Sequence, residues 1–420
     1  MKKYIITIAV ACISMLGFAQ VVNTAPALIG SWNGKLKVGA NSLTLVFHFE
    51  QADGYVVCTV DSPDQGAKGL SVYKEYLSED SVSLKMANIG AVYRAKLSNG
   101  KLVGTFSQLG MNFPLTLEKG EYKPNRPQTP VEPYPYITEE VTFYNSADEA
   151  TLAGTLTYPV GYENMKNVPV VIMVTGSGLQ NRDEELFNHK PFLVIADFLA
   201  RNGIASLRYD DRAFGASKGG NRVMNDATTL DYKRDAEAGV LYLRGLNKFG
   251  QVGVIGHSEG GNIAFMLGSD KCVDFVVSLA GVGTKVDVAL TAQYNEIIKH
   301  QSGAMPISVE QYRNNLRALN SAWMNWFIDY DPTADISATA CPVLAINGNK
   351  DCQVISALNL PAIAKALPEN SKSLIKEYPF LNHMFQRSQT GLPTEYSNIE
   401  ETISPEVLKD IAEWINKLKE

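Results

Sequence analysis

Residues 252–261, Val-Gly-Val-Ile-Gly-His-Ser-Glu-Gly-Gly, constrain the fold of this chain more than any other stretch. A short β-branched run leads directly into Gly-x-Ser-x-Gly, and the apolar residues 262–267 that follow are compatible with a helix. A strand, a sharp turn and a helix in this order hold the serine in a strained turn with its hydroxyl exposed, and the flanking glycines avoid steric clashes there. The pattern therefore predicts that Ser258 is a nucleophile. The alternative is a glycine-rich turn around a buried, structural serine.

The length of the chain, 420 residues, is more than one compact core usually organises, so two domains are expected. The hydrophobic content of 45% and the charged content of 20% are those of an ordinary globular protein. The formal net charge of −6, without any basic cluster, argues against nucleic acid as a partner.

The first residues are typical of an export signal. A basic start at residues 1–3 precedes an apolar run, 4–18, that is too short to span a bilayer securely. Small residues before Gln20 predict cleavage there, so residues 1–19 are predicted to be a signal peptide. A lipoprotein box ending at Cys12 is less favoured, because the apolar run continues beyond it. We expect a periplasmic or secreted protein without a membrane span.

Four cysteines remain after this cleavage, and their spacing fits no zinc-binding pattern: Cys58, Cys272, Cys341 and Cys352. Cys341 and Cys352 flank one predicted strand and its loop, so a disulfide between them is conceivable in an oxidising compartment. Buried free thiols are an equally good interpretation, and the sequence leaves both open.

Residues 28–120 are predicted to form a small all-β accessory domain. Apolar and polar side chains alternate along 43–50, which is the period of a half-buried strand, and similar short runs follow. Residues 98–100, Ser-Asn-Gly, form a good hairpin turn between two of these runs. Gly-Ser-Trp at 30–32 resembles the start of lipocalin-like β-barrels.

Five prolines in residues 121–137 predict a semi-rigid, extended linker to a second domain at 138–420. In that domain predicted strands alternate with predicted helices, and residues 168–174 form a continuous apolar run, as in a strand buried on both faces. Repeated β-α units imply an α/β fold with a doubly wound, mostly parallel sheet and an antiparallel hairpin at its edge.

Residues 283–340 interrupt this alternation with helix-compatible sequence. An insertion at this place would lie as a helical cap over the carboxyl ends of the strands. Its aromatic residues either line an acyl or alcohol pocket or form the cap's own core: Trp323, Trp326 and Phe327.

A serine nucleophile needs a histidine base, and the base needs a carboxylate that orients it. Among the five histidines, His383 follows the last predicted strand, in a loop where an open α/β sheet places its chemistry. His189 and His300 are its rivals. His257 lies inside the serine motif, and we expect its side chain to point away from the hydroxyl.

Asp351 is the predicted carboxylate, because it follows the predicted strand 343–346 and a glycine-containing turn brings it back over the sheet end. The alternative for this residue is a solvated turn aspartate. Poorer candidates for the carboxylate fall in the insertion or at the end of a helix: Asp329, Asp331, Asp335 and Glu369.

Two backbone N–H groups are expected to hold the oxyanion that forms when an acyl carbonyl is attacked. The N–H of Glu259 begins the helix after Ser258 and points to the same spot. The second donor is expected from Thr-Gly-Ser-Gly at 175–178, with Ser177 as the first choice and Gly178 as the alternative.

The motifs of this chain stand in one pattern: Gly-His-Ser-Glu-Gly at 256–260, Thr-Gly-Ser-Gly at 175–178, Asn-Gly-Asn-Lys-Asp at 347–351 and Asn-His at 382–383. The pattern resembles the α/β-hydrolase superfamily, and the resemblance covers residues 140–420. Residues 176–183 and Arg-Tyr-Asp-Asp-Arg at 208–212 are similar to secreted bacterial carboxylesterases, relatives of the serine aminopeptidase and dienelactone hydrolase branches. We interpret Asp211 and Arg212 as a structural ion pair near the sheet end.

The resemblance implies a serine hydrolase that cleaves carboxylic esters through an acyl-enzyme, without a metal or an organic cofactor. It suggests small-molecule or acylated-glycan esters as substrates, and it does not indicate an oligomeric state. A serine peptidase, the first alternative, would need a carboxylate pair for a substrate amino terminus. Glu184 and Glu185 are the only suggestive pair, and we expect them to be solvated. The second alternative is a binding protein on a hydrolase scaffold.

Overall fold

The computed structural model describes residues 25–39, 41–52, 55–65, 67–222, 226–299 and 304–419. The predicted signal peptide, 1–19, and His300 lie outside these residues. The chain divides into two compact units, Met1–Asn125 and Arg126–Glu420, and each has its own hydrophobic core.

The described residues of the first unit form one antiparallel, barrel-like sheet, so the predicted all-β domain is confirmed. Its nine strands stand in the order β4-β3-β2-β1-β9-β8-β7-β6-β5. They are β1 Gly30–Val38, β2 Asn41–Ala52, β3 Tyr55–Ser62, β4 Ala67–Ser71, β5 Tyr73–Leu77, β6 Ser81–Met86, β7 Ala91–Ser98, β8 Lys101–Gln108 and β9 Met111–Lys119. Large buried side chains pack the interior, among them Trp32, Phe47 and Tyr93.

The hairpin between β7 and β8 turns where the sequence predicts it. Ser98 pairs with Lys101, and the two residues between them have positive φ angles, 50° at Asn99 and 75° at Gly100. Asn-Gly is the sequence that tolerates this pair of left-handed conformations best, which is why the turn is so short.

From Arg126 onward, the proline-rich segment belongs to the second unit. The Arg126 guanidinium donates hydrogen bonds to the carbonyl oxygens of Phe187, Ser397 and Ile399, at 2.9, 2.8 and 3.1 Å. Gln128 donates to the carbonyl of Ile403 at 2.8 Å. The boundary between the two units therefore falls within the predicted linker 121–137, and the hydrogen bonds of Arg126 and Gln128 hold part of that segment against the rest of the second unit.

The sheet of the second unit has the order β10-β11-β13-β12-β14-β15-β16-β17. β10 and β11 form an antiparallel hairpin, β11 pairs with β13 antiparallel, and the remaining pairs are parallel. The strands are β10 Thr138–Asn145, β11 Ala150–Thr157, β12 Val170–Val174, β13 Ala205–Tyr209, β14 Val252–His257, β15 Val276–Leu279, β16 Val343–Gly348 and β17 Leu374–Tyr378. The predicted doubly wound, mostly parallel sheet with an edge hairpin is confirmed.

Helices cover both faces of this sheet. They are α1 Pro191–Arg201, α2 Thr229–Gly245, α3 Glu259–Ser269, α4 Val286–Ile298, α5 Val309–Arg317, α6 Ala322–Phe327, α7 Thr333–Ala338, α8 Ser356–Ala366 and α9 Pro405–Lys417. One core lies under α2, α3 and α8, and the other lies under α1 and α9. Every residue of β12 is buried, because a central parallel strand contacts helices on both sides.

The direction of winding reverses at β12. The chain passes from β12 to β13 on one side and then returns to β14 on the other, so that β12 and β14 are neighbours. The loops that follow two such strands diverge to opposite faces and leave a crevice at the carboxyl ends. The loop at 175–178 and the serine turn therefore meet at one place.

The described residues between β15 and β16 form four helices, α4 to α7. A small apolar cluster joins α4 and α6, and α5 contacts both of these helices. The cluster consists of Val282, Val286, Ala289, Phe327 and Val354, with Leu290, Trp323, Trp326 and Tyr330 packed against them. α7 instead packs against α3, and its Ile336 belongs to the core beside the sheet. The cap therefore consists of α4 to α6, while the last helix of the predicted insertion 283–340 is part of the core.

In the described part of the chain, no helix is both long enough and apolar enough to cross a membrane.

Cys341 and Cys352 are free thiols, so the disulfide that the sequence left open is not formed.

Two helical glycines differ in the space around them. Gly260 lies where α3 approaches β12 closely, whereas Gly245 lies in open space, so only helix propensity acts there. A Cβ at Gly260 would lie 2.2 Å from the carbonyl oxygen of Val174, whereas a Cβ at Gly245 would meet nothing within 4 Å. We expect Gly260→Ala to lower the free energy of unfolding by about 2 kcal/mol or more. Gly245→Ala should leave it unchanged or raise it by up to about 1 kcal/mol. Urea unfolding of both variants tests this, and equal stabilities would contradict the close approach of α3 to β12.

Candidate active site

Ser258 occupies the sharp turn between β14 and α3, with φ 55° and ψ −117°. Non-glycine residues adopt this conformation only when the surrounding structure enforces it. A Cβ at Gly256 would lie 1.9 Å from the carbonyl oxygen of Gly260, so the turn can close only with glycine there. The Ser258 N–H donates to the Leu279 carbonyl at 2.8 Å, which ties the turn to the neighbouring strand β15.

His383 and Asp351 are joined by a hydrogen bond of 2.7 Å between Nδ1 and Oδ2. Both side chains are buried, and both lie in loops at the carboxyl ends of β17 and β16. The other Asp351 oxygen, Oδ1, accepts from the N–H groups of Gln353 and Val354 at 2.7 and 2.8 Å. The carboxylate is thus fixed on both oxygens, and the Nε2 atom of His383 is left to act as a base.

Ser258 and His383 both line one cavity of about 260 Å³. Ser177 and Glu259 line it as well, so the two residues predicted to hold an oxyanion stand beside the predicted nucleophile and base. Gly178 lines a smaller neighbouring cavity instead. The cap contributes part of the apolar wall: Ala289, Leu290, Trp323 and Phe327.

The aromatic residues of the cap divide between the two roles that the sequence left open. Trp323 and Phe327 stack at 5.3 Å and line the cavity, and they also belong to the apolar cluster of the cap. Trp326 packs on Tyr330 at 5.1 Å and lies outside the cavity wall.

The loop at 175–178 is held by two buried carboxylates. The Gly176 N–H donates to Glu184 Oε1 at 2.9 Å, so the amide that precedes Ser177 in the loop already has a partner. Thr175 Oγ1 and the N–H of Gln180 donate to Asp211 at 3.0 and 2.8 Å. Burial raises the pKa of Asp211. With its first amide occupied, the loop can offer the next one, that of Ser177, to a ligand.

The predicted ion pair between Asp211 and Arg212 is wrong. The fully buried Arg212 guanidinium bonds instead to Asp235 at 2.7 Å and to Asp148 at 2.9 Å. Adjacent residues at the end of a strand point in opposite directions, so Asp211 faces the loop at 175–178 while Arg212 faces α2.

The expectation that Glu184 is solvated is also wrong, because the residue is only 3% exposed. Its carboxylate bonds to His257 Nδ1 at 2.9 Å, while Glu185 is exposed. His257 Nε2 lies 3.0 Å from the carbonyl oxygen of His383, and the two imidazole rings are 4.7 Å apart. His257 therefore links Glu184 to the backbone of His383 and lines the same cavity.

Both ring nitrogens of His257 face acceptors, a carboxylate and a carbonyl, so each must carry a proton for both bonds to form. Burial opposes the charged form, but the Glu184 charge and the two hydrogen bonds outweigh it and raise the pKa of His257 above its ordinary value. The sequence alone gave no signal for this pair, because its members are 73 residues apart.

His189, a rival candidate for the base, has a structural role. It is buried between Thr402 Oγ1 at 2.9 Å and the Tyr396 carbonyl at 3.0 Å. Burial lowers the pKa of His189 to about 4. The residue is not among the described residues that line the cavity of Ser258.

A Ser-His-Asp hydrogen-bond chain occurs in the first unit. His48 lies 3.0 Å from Ser31 Oγ through Nδ1 and 2.9 Å from Asp61 Oδ2 through Nε2. The Ser31 hydroxyl donates to Glu121 at 2.8 Å. Since a carboxylate binds this hydroxyl, and would repel a developing oxyanion, the chain is a structural hydrogen-bond network on the strand face.

Residues 169–322 match a family model described as the α/β hydrolase fold. Among curated proteins, "Esterase EstD" of Thermotoga maritima is 27% identical over 285 residues, which are 63% of this chain and 66% of that protein. The chain thus spans just under two thirds of this relative.

Among solved structures, the chain is similar to Est1E from Butyrivibrio proteoclasticus with bound ferulic acid, with 17% identity and a TM-score of 0.47 over 65% of this chain and 98% of that one. An esterase of Pyrococcus furiosus has 18% identity and a TM-score of 0.46 over 71% of this chain and 99% of that one.

The Glu184–His257 pair predicts a pH-dependent stability. Glu184→Gln keeps an acceptor for the Gly176 amide but removes the charge that favours protonated His257. Because the folded pKa of His257 is raised, the pair stabilises fully below about pH 6.5, the unfolded value, and its contribution is lost as the pH rises through the folded value. Wild type should therefore exceed the variant by about 2 kcal/mol or more at pH 6, and by less at pH 9.

Urea unfolding at both pH values measures this difference. Glu185→Gln, at the exposed neighbouring position, is the matched control and should show no such trend. A wild-type advantage that is the same at both pH values would mean that His257 is neutral.

The strand order and the family-model match together show that the second unit has the α/β-hydrolase fold, and in sequence the chain is similar to an esterase.

Proposed function

We propose that the protein is a serine carboxylesterase. The observation that carries the proposal is the 2.7 Å hydrogen bond between Asp351 and His383, because His383 lines the same cavity as the strained Ser258. A carboxylate, an imidazole and a serine in chain order Ser, Asp, His, each at the carboxyl end of its own strand, form the set that acyl transfer needs.

In the proposed reaction, Ser258 Oγ attacks the ester carbonyl while His383 Nε2 takes its proton. Asp351 fixes the imidazole tautomer and stabilises the imidazolium that forms. The N–H groups of Ser177 and Glu259 hold the oxyanion, and each such donor is worth about 3 kcal/mol. His383 then gives the proton to the leaving alcohol. In the second half of the reaction, His383 takes a proton from water, the water attacks the acyl-enzyme, and the proton returns to Ser258 Oγ as the carboxylic acid leaves.

The cavity favours small esters. Its volume, about 260 Å³, is below the range of about 300–1,000 Å³ for pockets that enclose drug-sized ligands. Trp323 and Phe327 provide an apolar wall, and Gln180 and Gln353 provide polar groups. A short acyl group therefore fits inside, while a larger alcohol extends outward. Acylated glycans, suggested by the sequence resemblance, are one such class, and export through residues 1–19 would bring the enzyme to them.

A serine peptidase is the second candidate, and the carboxylates of the site argue against it. An aminopeptidase needs free carboxylates for the substrate amino terminus. Glu184 already binds His257 and the Gly176 amide, and Glu185 is exposed. A binding protein without catalysis is disfavoured as well, because the Asp351–His383 bond and the strained turn would then have no use.

Replacement of the nucleophile tests the proposal directly. Ser258→Ala should lower kcat on p-nitrophenyl acetate by at least about 10⁴-fold, and Asp351→Asn by about 10³–10⁴-fold, because the wrong histidine tautomer is then favoured. Gly245→Ala, far from the site in α2, serves as the active control. If Ser258→Ala retains wild-type turnover, the proposal is wrong.

The size of the cavity predicts a preference among acyl chains. We expect p-nitrophenyl acetate and butyrate to be cleaved with a kcat/KM at least about tenfold above that of the octanoate, since the longer chain must displace cap residues. An aminoacyl-p-nitroanilide should be cleaved slowly or not at all. Preference for the anilide over every ester would move the protein to the peptidases.

A further inference from the structure

The side chain of Glu259 is a buried carboxylate that the proposed reaction does not use. Only 3% of the residue is exposed. Its Oε1 atom accepts hydrogen bonds from Thr229 Oγ1 at 2.6 Å and from Trp323 Nε1 at 2.9 Å. Burial raises the pKa of Glu259, and the hydrogen bonds from Thr229 and Trp323 lower it in part.

The two donors come from separate parts of the second unit. Thr229 begins α2, and Trp323 lies in the cap helix α6. Glu259 itself is the first residue of α3. One carboxyl group thus joins the cap, the start of α2 and the serine turn.

We propose that the Glu259 side chain is a positioning residue that couples the docking of the cap to the geometry of the oxyanion hole. The inference rests on the proposed function, in which the N–H groups of Ser177 and Glu259 hold the oxyanion. The carboxyl group that Trp323 binds and the N–H group that would face the oxyanion belong to the same residue, Glu259. The hydrogen bond from the cap therefore helps to fix the orientation of the residue that supplies this N–H.

Trp323 connects the Glu259 carboxyl group to the substrate cavity. Its ring lines the cavity, and its indole N–H is one of the Glu259 donors. A substrate that packs on the ring holds the indole in place, and the indole in turn holds the carboxyl group. A buried carboxyl group that loses one donor is left with an unpaired oxygen and a less defined rotamer, so the oxyanion hole loosens. Substrate contacts with the cap should then appear in kcat as well as in KM.

The test removes the donor of the link. Trp323→Phe keeps an aromatic ring in the wall but removes the indole N–H. We expect it to lower kcat on p-nitrophenyl acetate about fivefold to tenfold, with KM changed less than about twofold. Trp326→Phe is the matched control, since Trp326 packs on Tyr330 outside the cavity wall, and it should keep wild-type kcat.

A double-mutant cycle shows whether the effect passes through Glu259. In a Glu259→Met background, which keeps the backbone N–H but removes the acceptor, Trp323→Phe should lower kcat by less than about twofold further. Additive effects would overturn the coupling. So would a Trp323→Phe variant that loses only thermal stability, or only KM, with wild-type kcat.

Labelling of Ser258 by a fluorophosphonate separates failure of this inference from failure of the proposed esterase. The labelling rate depends on the same oxyanion donors but requires no ester turnover. If wild type cleaves esters and Trp323→Phe changes neither kcat nor the labelling rate, the coupling is wrong and the esterase stands. If wild type cleaves no ester but the labelling rate falls about fivefold in Trp323→Phe, the coupling stands. A wild type that is inert to the probe would overturn both.

Discussion

The positive φ of Ser258 is the constraint on which the rest of the second unit depends. A serine at φ 55° can be held only where the strand and the helix on either side approach closely, and glycine at 256 and 260 permits that approach. The same approach brings the first turn of α3 against the end of β12. Because the sheet reverses its winding at β12, the loop at 175–178 lies beside the serine. The strained turn at Ser258 and the reversal at β12 therefore bring the proposed nucleophile and both predicted oxyanion donors together.

The site is built from buried charges, and each is compensated by named partners. Asp351 has His383 and two backbone amides, while Glu184 has His257 and the Gly176 amide. Buried charges add little net stability, since desolvation offsets their attraction, but they fix geometry because any other arrangement leaves a charge unpaired. His257 extends this effect to the backbone of His383. The orientation of the proposed base is thus set from two sides.

Local sequence pattern predicted most of the fold and the positions of Ser258, Asp351 and His383, because strand periodicity, turn chemistry and chain order are local or sequential properties. It did not predict which polar groups pair across loops. Arg212 bonds to Asp148 and Asp235, 64 and 23 residues away in sequence, and not to its neighbour Asp211. The periodic pattern of apolar residues contains no information on the hydrogen-bond partner of a polar residue, because the pairing depends on which loops the assembled sheet brings together. Glu184 was misjudged for the same reason, because a carboxylate in a polar loop looks solvated until the loop is placed.

The aromatic residues of the cap show that one side chain can line the pocket and also belong to an apolar core. Three short helices cannot enclose a core of their own, so their apolar side chains must pack partly on the domain below. Phe327 and Trp323 stack with each other, contact the cap cluster and still line the cavity, because the cavity is the incompletely filled part of that shared core. In the proposed reaction, a substrate in the cavity would pack against the same cap residues. The free energy of substrate binding would then include contacts that also stabilise the cap, and the bond from Trp323 to Glu259 would connect those contacts to the serine turn.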